Sequence, residues 1–210
     1  MRKLVIMLLV IFSALQLSAT HIMGGEITWE CIKDPTSPNY GKYIFHMKIY
    51  RDCDGVSLST AAQTITVHNH PSVFTIQVNF VDSNDVSPDC DFINSGNLPL
   101  NCLTNPVGAV EEYIYQSQPV SLAGVPPVGG TPMTNGWHFT WDNCCRNGAI
   151  SNLILSNPTS PSEGFTLRAS MYQYIDPSTG TPIDSDPCFD SSPLFNESPK
   201  TIICTGYPFS

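Results

Sequence analysis

The sequence predicts an all-β fold: an antiparallel β-sandwich, Ig-like or an elaboration of it, with long disulfide-stapled loops. Three observations carry the prediction. Apolar residues alternate with period two in several runs and nowhere keep a helical period over three turns. Turn-forming dipeptides such as Asp54-Gly55, Asn105-Pro106, Pro126-Pro127, Asn135-Gly136 and Asn157-Pro158 separate those runs. All eight cysteines of the 210-residue chain lie downstream of an amino-terminal apolar run, in the order expected of an exported, cross-linked protein.

That run, Leu4 to Leu17, follows Arg2-Lys3 and ends at the small residues Ser18-Ala19. Residues 1–19 therefore read as a secretory signal cleaved after Ala19. The run is short against the roughly 20 residues needed to span a bilayer, and no basic cluster follows it, so no transmembrane segment is expected after cleavage. Residues 20–210 read as a single β-rich extracellular domain, since no internal repeat or low-complexity linker divides them.

The strands follow in order. Glu26 to Cys31 is the first. In Tyr43 to Tyr50, residues Tyr43, Phe45, Met47 and Ile49 share one face while His46 and Lys48 take the other. Gln63 to Val67 is short. Val73 to Val81 sets Phe74, Ile76, Val78 and Phe80 inward against Thr75, Gln77 and Asn79. Glu112 to Tyr115, Trp137 to Trp141 and Asn152 to Leu155 come next. Phe165 to Ile175 turns Phe165, Leu167, Ala169, Met171 and Ile175 inward, and Thr201 to Cys204 closes the set of about nine strands. The long connections 83–110 and 117–135 are expected to be elaborated surface loops.

The chain carries a formal net charge of −9, and loss of Arg2 and Lys3 with the signal makes it more acidic still. Its cations, Lys48, Arg51, Arg146 and Arg168 among them, are scattered. Such a surface argues against nucleic acid or an anionic membrane as a partner. Eight cysteines, Cys31, Cys53, Cys90, Cys102, Cys144, Cys145, Cys188 and Cys204, allow about a hundred connectivities. Loop length favours Cys90 with Cys102 and Cys188 with Cys204, because closing a loop of about 15 residues is worth about 3 kcal/mol in the chain-entropy model. Cys144 and Cys145, being adjacent, are then expected to pair outward with Cys31 and Cys53.

Candidate chemistry is thin. Asp52-Cys53-Asp54-Gly55 resembles the start of a calcium loop, but the twelfth position falls on Gln63, so a disulfide-bearing turn is the reading preferred. Asp184, Asp186 and Asp190 form a second acidic loop. His68 and His70 have the spacing a strand-borne zinc site could use, with His46 or His138 as a third ligand; Pro71 favours a turn instead. No serine elbow, zinc-protease helix, phosphate loop or dinucleotide fingerprint is present. Glu26, Glu30, Glu111 and Glu112 are the glutamates placed near strands, and they are expected at the surface. No cofactor and no catalytic residue is assigned. Trp137, Phe139 and Trp141 lie on one face, expected to be core. The alternative is an aromatic platform of Trp137 and Trp141 with Tyr113 and Tyr115, on which a sugar or a partner chain could stack.

Four segments carry a family resemblance: Thr20 to Trp29 after the signal, Ile49-Tyr50-Arg51-Asp52-Cys53-Asp54-Gly55, Trp141 to Asn147 with Ile150-Ser151-Asn152, and Ile203 to Phe209. Together they resemble the amino-terminal region of large exported surface proteins of Bacteroidota, of the gliding-motility-associated, PKD-domain-containing type. The resemblance implies a β-rich extracellular domain heading a longer chain with PKD-like modules and a type IX secretion signal. Such proteins continue past the Tyr207-Pro208-Phe209 segment, so the stop at Ser210 is expected to mark a fragment or a truncated gene. Gly24-Gly25 should let the new amino terminus turn into the first strand, tucking His21 and Ile22 against the domain. Arg51 and Arg146 should meet carboxylates such as Glu26 or Asp142 and order loops.

The function expected is a non-enzymatic secreted or cell-surface module serving adhesion, gliding or surface architecture, with surface glycans or other cell-surface proteins as partners. An extracellular carbohydrate-binding or glycan-acting domain is the alternative.

Overall fold

The computed structural model describes residues 22–88, 99–143, 164–182 and 187–193. Within them the chain is all β, in seven strands: β1 (Ile22–Cys31), β2 (Tyr43–Asp52), β3 (Gln63–His68), β4 (Thr75–Asp85), β5 (Val110–Ser117), β6 (Trp137–Asn143) and β7 (Phe165–Met171). They form one sheet in the order β1-β2-β5-β4-β3-β6-β7, with every neighbouring pair antiparallel.

The sheet curls until its two end strands meet. β1 and β7 touch although they exchange no ladder hydrogen bonds. Phe139 of β6 packs against Phe45 of β2 at 4.7 Å between ring centroids and against Trp29 of β1 at 5.4 Å, so the two halves face each other over one core. This is the antiparallel sandwich the alternation predicts, nearly closed into a barrel. Bulges between Ile22 and Gly24 in β1 and between Phe80 and Asp82 in β4 supply part of the bend.

Gly25 lies at the closing seam. A Cβ there would stand 2.5 Å from the Lys48 carbonyl oxygen and 2.8 Å from Leu167 Cδ1 of β7, whereas one at Gly24 would meet nothing within 4 Å. Both glycines lie inside β1, paired with Tyr50 and Ile49 and without positive φ, so the strand begins before the expected entry turn and the close approach at Gly25 is what calls for glycine. Ile22, at the start of β1, is fully buried.

The inward positions of β2 are all buried, as the alternation requires. Elsewhere the sequence reading needs correction. β4 begins at Thr75, leaving Phe74 exposed, and its bulge breaks the alternation at Val81. β7 stops at Met171, so Ile175 is exposed and only bridges Pro182. Tyr50 is buried on the face of β2 opposite the core pattern. The strands expected at 152–155 and 201–204 lie outside the described residues.

The disulfides also differ from the loop-length expectation. Cys31 bonds Cys188 and Cys53 bonds Cys102, so neither Cys102 with Cys90 nor Cys188 with Cys204 is formed, and Cys31 and Cys53 do not bond Cys144 or Cys145. Loop-closure entropy rises only slowly with length, so spatial adjacency in the folded sheet outweighs nearness in sequence. Cys90, Cys144, Cys145 and Cys204 fall outside the described residues. The Cys31–Cys188 bond pins residues 187–193 along the outer edge of β1. There the Trp29 N–H donates to Ser192 Oγ (2.8 Å), the Ser192 N–H donates to the Trp29 carbonyl (3.1 Å), and the Phe189 N–H donates to Tyr43 Oη (2.9 Å). Part of an edge that would otherwise invite pairing is thereby covered.

Candidate functional site

The aromatic platform does not form. Trp137, Trp141, Tyr113 and Tyr115 are each at most 5 % exposed and belong to the core. Strand alternation puts Trp137, Phe139 and Trp141 on one face, and curling turns that face inward. Trp137 packs against the His70 ring (4.5 Å) and edge-on to Phe189 (5.9 Å), Trp141 Nε1 donates to Gln63 Oε1, and Tyr115 Oη donates to the Ser59 carbonyl. These side chains hold the fold and offer no stacking surface to a ligand.

The histidines separate as well. Asn69 takes a positive φ of 65°, which ends the strand alternation between His68 and His70. His68 stays exposed on β3, with Nε2 2.8 Å from Thr140 Oγ1. His70 turns under Trp137, where its Nδ1 accepts the N–H groups of Ser72 and Val73 (3.1 and 2.9 Å) and burial lowers its pKa. His138, the register partner of His68 on β6, is buried beside Ser170 Oγ (2.7 Å). Burial lowers its pKa, and Arg168 and His68 add to that shift. His46 sits on the outer face of β2 beside Glu30 (3.7 Å). Among the described residues, no group of three or more His, Cys, Asp or Glu side chains converges as metal ligands would.

Asp52-Cys53-Asp54-Gly55 is a turn: Asp52 Oδ1 accepts the Asp54 N–H and the Asp52 carbonyl accepts that of Gly55. Asp184 and Asp186 lie outside the described residues. Burial raises the pKa of Asp190 on the strap along β1.

The sequence places the glutamates at the surface, but two of them are structural. Arg51 is an inward residue at the end of β2, and its guanidinium pairs with Glu111 across the β2–β5 ladder rather than with Glu26. It also donates to the carbonyls of Asp52 and Gly55, 2.9 and 3.0 Å away, thereby fixing the turn that carries Cys53. On the opposite face, Glu112 is 4 % exposed and accepts from Tyr50 Oη (3.1 Å) and Lys48 Nζ (3.2 Å). Glu26 reaches the same ammonium at 3.9 Å, while its Oε2 is buried without a hydrogen bond. Desolvation accordingly raises the Glu26 pKa against the pull of Lys48, and Tyr50 is pushed up by burial and by the neighbouring carboxylates. Each of these acids answers a cation or a phenol already present, as structural ion pairs do.

A further polar surface lies on the outer face of β4-β3-β6-β7. Register places Thr75, Thr66, Thr140 and Arg168 in one row across the four strands. Beside it, Gln77 Nε2 donates to Thr64 Oγ1 (2.8 Å) on the next row, and the His68 contact with Thr140 ties in the third. Sequence reading set Thr75 against the inward face of its run but had no means of joining strands distant in the chain into a row. Arg168 is fixed by the Pro132 carbonyl (3.0 Å) and Met133 Sδ (3.2 Å) of the 125–136 loop. That loop is itself held by Asn69 Nδ2, which donates to the carbonyls of Met133 and Gly136.

Comparison of the chain with family models, with curated proteins and with solved structures finds no match.

Proposed function

We propose that this protein is a non-enzymatic secreted or cell-surface module, the amino-terminal domain of an adhesin-like or gliding-associated surface protein. The observation that carries the reading is the pair of disulfides. Cys31–Cys188 and Cys53–Cys102 join segments 157 and 49 residues apart, and bonds of this kind form and persist in oxidising compartments. The amino-terminal signal points to the same compartment. The carboxylates near the strands support the non-enzymatic part, since Glu111 and Glu112 are engaged by Arg51, Lys48 and Tyr50 and hold loops and strands together.

The test combines fractionation with thiol labelling. A tagged full-length chain expressed in its source organism is expected outside the cytoplasm. Cys31, Cys53, Cys102 and Cys188 should react with maleimide only after reduction, and deleting the gene should reduce attachment of cells to surfaces. Recovery from the cytosol with reactive thiols, or unchanged attachment of the deletion strain, would overturn the proposal.

A further inference from the structure

We infer that the segment 125–136 is a flap that closes over His138 at neutral pH and is released in acid, with His70 and His138 as its two latches. Hydrogen bonds close the segment on itself. The Gly136 N–H donates to the Pro127 carbonyl (2.8 Å), the Gly129 N–H to Asn135 Oδ1 (3.1 Å), and the Thr134 and Asn135 N–H groups to the Thr131 carbonyl (2.9 and 3.0 Å). Apolar burial anchors it little: Pro126 is buried, but Val125, Val128 and Met133 are exposed. Two side chains tie it down. Asn69 Nδ2 donates to the Met133 and Gly136 carbonyls, and the Arg168 guanidinium donates to the Pro132 carbonyl and to Met133 Sδ. A self-closed segment with so few ties can leave the sheet as a unit while the strands stay paired.

Each tie stands beside a buried imidazole. Asn69 immediately precedes His70, whose Nδ1 accepts the Ser72 and Val73 N–H groups (3.1 and 2.9 Å). A proton on Nδ1 would confront both donors and open the turn that positions Asn69. The His70 ring otherwise faces Trp137, against which the strap's Phe189 packs, with Asp190 next in the chain. His138, 2 % exposed, lies on the same outer face as Arg168, with Ser170 Oγ at 2.7 Å and the Tyr172 ring edge-on. A charged His138 would be opposed by Arg168 of β7 and His68 of β3. Asp142, four residues further along β6, is engaged by Thr166 Oγ1 (2.6 Å), and the flap itself carries no ionisable side chain. The Ala123, Met133 and Asn135 carbonyls favour charged rings, but neither buried Nε2 atom has a hydrogen-bond partner, so desolvation prevails and both pKa values are lowered. Rings exposed by release would titrate at about 6.5. Closure is therefore complete above that pH and is lost as pH falls through the lowered values.

Amide hydrogen exchange of the signal-free chain at pH 7.5 and pH 5, corrected for the intrinsic pH dependence of exchange, tests this. Peptides covering 125–136 should lose protection by about tenfold or more at pH 5, the scale set by a single titrating group, while peptides of β2 and β5 keep theirs. His70→Gln and His138→Gln should each remove part of that acid step, and the double variant should remove all of it. His46→Gln, a histidine on the outer face of β2 away from the flap, should leave the step intact. Thermal melts establish that each variant is folded, and where the double variant is not, the two single variants decide. No acid step at 125–136, an equal step in β2 and β5, the full step in both single variants or in the double variant, or its loss in His46→Gln would overturn the inference.

Discussion

His70 shows how a residue that looks like a metal ligand is put to a structural use. Its Nδ1 accepts two backbone N–H groups, which requires a neutral ring, and burial against Trp137 lowers its pKa; burial does the same to His138. Where the folded pKa lies below the unfolded value of about 6.5, the unfolded chain takes up the proton first as pH falls. Stability from these two histidines is therefore complete above about pH 6.5 and is lost as pH falls through their folded values. Glu26, whose folded pKa is raised, works in the opposite direction, since the folded state then holds its proton more tightly. Urea midpoints measured from pH 8 to pH 5 are expected to fall towards acid. His70→Gln should flatten the fall and Glu26→Gln should steepen it. A slope unchanged in His70→Gln would contradict this account.

At the scale of elements, β1 was legible as a strand, but the need for glycine at its closing point was not. The sequence shows Gly24-Gly25 as equivalent neighbours. Only the approach of β7 distinguishes them, because Leu167 and the Lys48 carbonyl occupy the space a Cβ at Gly25 would need. Gly25→Ala is expected to cost about 1–3 kcal/mol in denaturant titration, typical of overpacking, while Gly24→Ala should cost less than half as much. Equal effects at the two positions would place the seam elsewhere. β4 teaches the same lesson. Alternation located Ile76 and Val78 in the core, but the bulge after Phe80 shifts the phase, and no local residue type announces it.

At the scale of the molecule, the cross-links join what the strand order leaves open. Cys31–Cys188 closes a loop of 157 residues and Cys53–Cys102 one of 49, and the chain-entropy model ranks the longer above the shorter by about 1 kcal/mol. We expect Cys31→Ser with Cys188→Ser to lower the denaturant midpoint more than Cys53→Ser with Cys102→Ser. The loosened strap on the β1 edge adds to the difference, because residues 187–193 are then held by the Ser192 and Phe189 hydrogen bonds and the Phe189 contact with Trp137 without a covalent tie. The reverse order would show that the turn fixed by Arg51 matters more than the strap.

The sequence by itself determined the all-β class, the strands now seen as β1 to β7, the inward residues of β2 and the acidic, cysteine-rich character of the chain. These are local properties: alternation, turn residues and composition are written within a few positions of one another. Which cysteines bond, that Trp137 and Trp141 face the core, that His68 and His70 part at Asn69, and that Thr75, Thr66, Thr140 and Arg168 share a row were decided by the tertiary structure. Each depends on residues far apart in sequence that meet only when the sheet takes its order and curls, and period-two patterning specifies a face without specifying which strand lies beside it or which way the sheet bends.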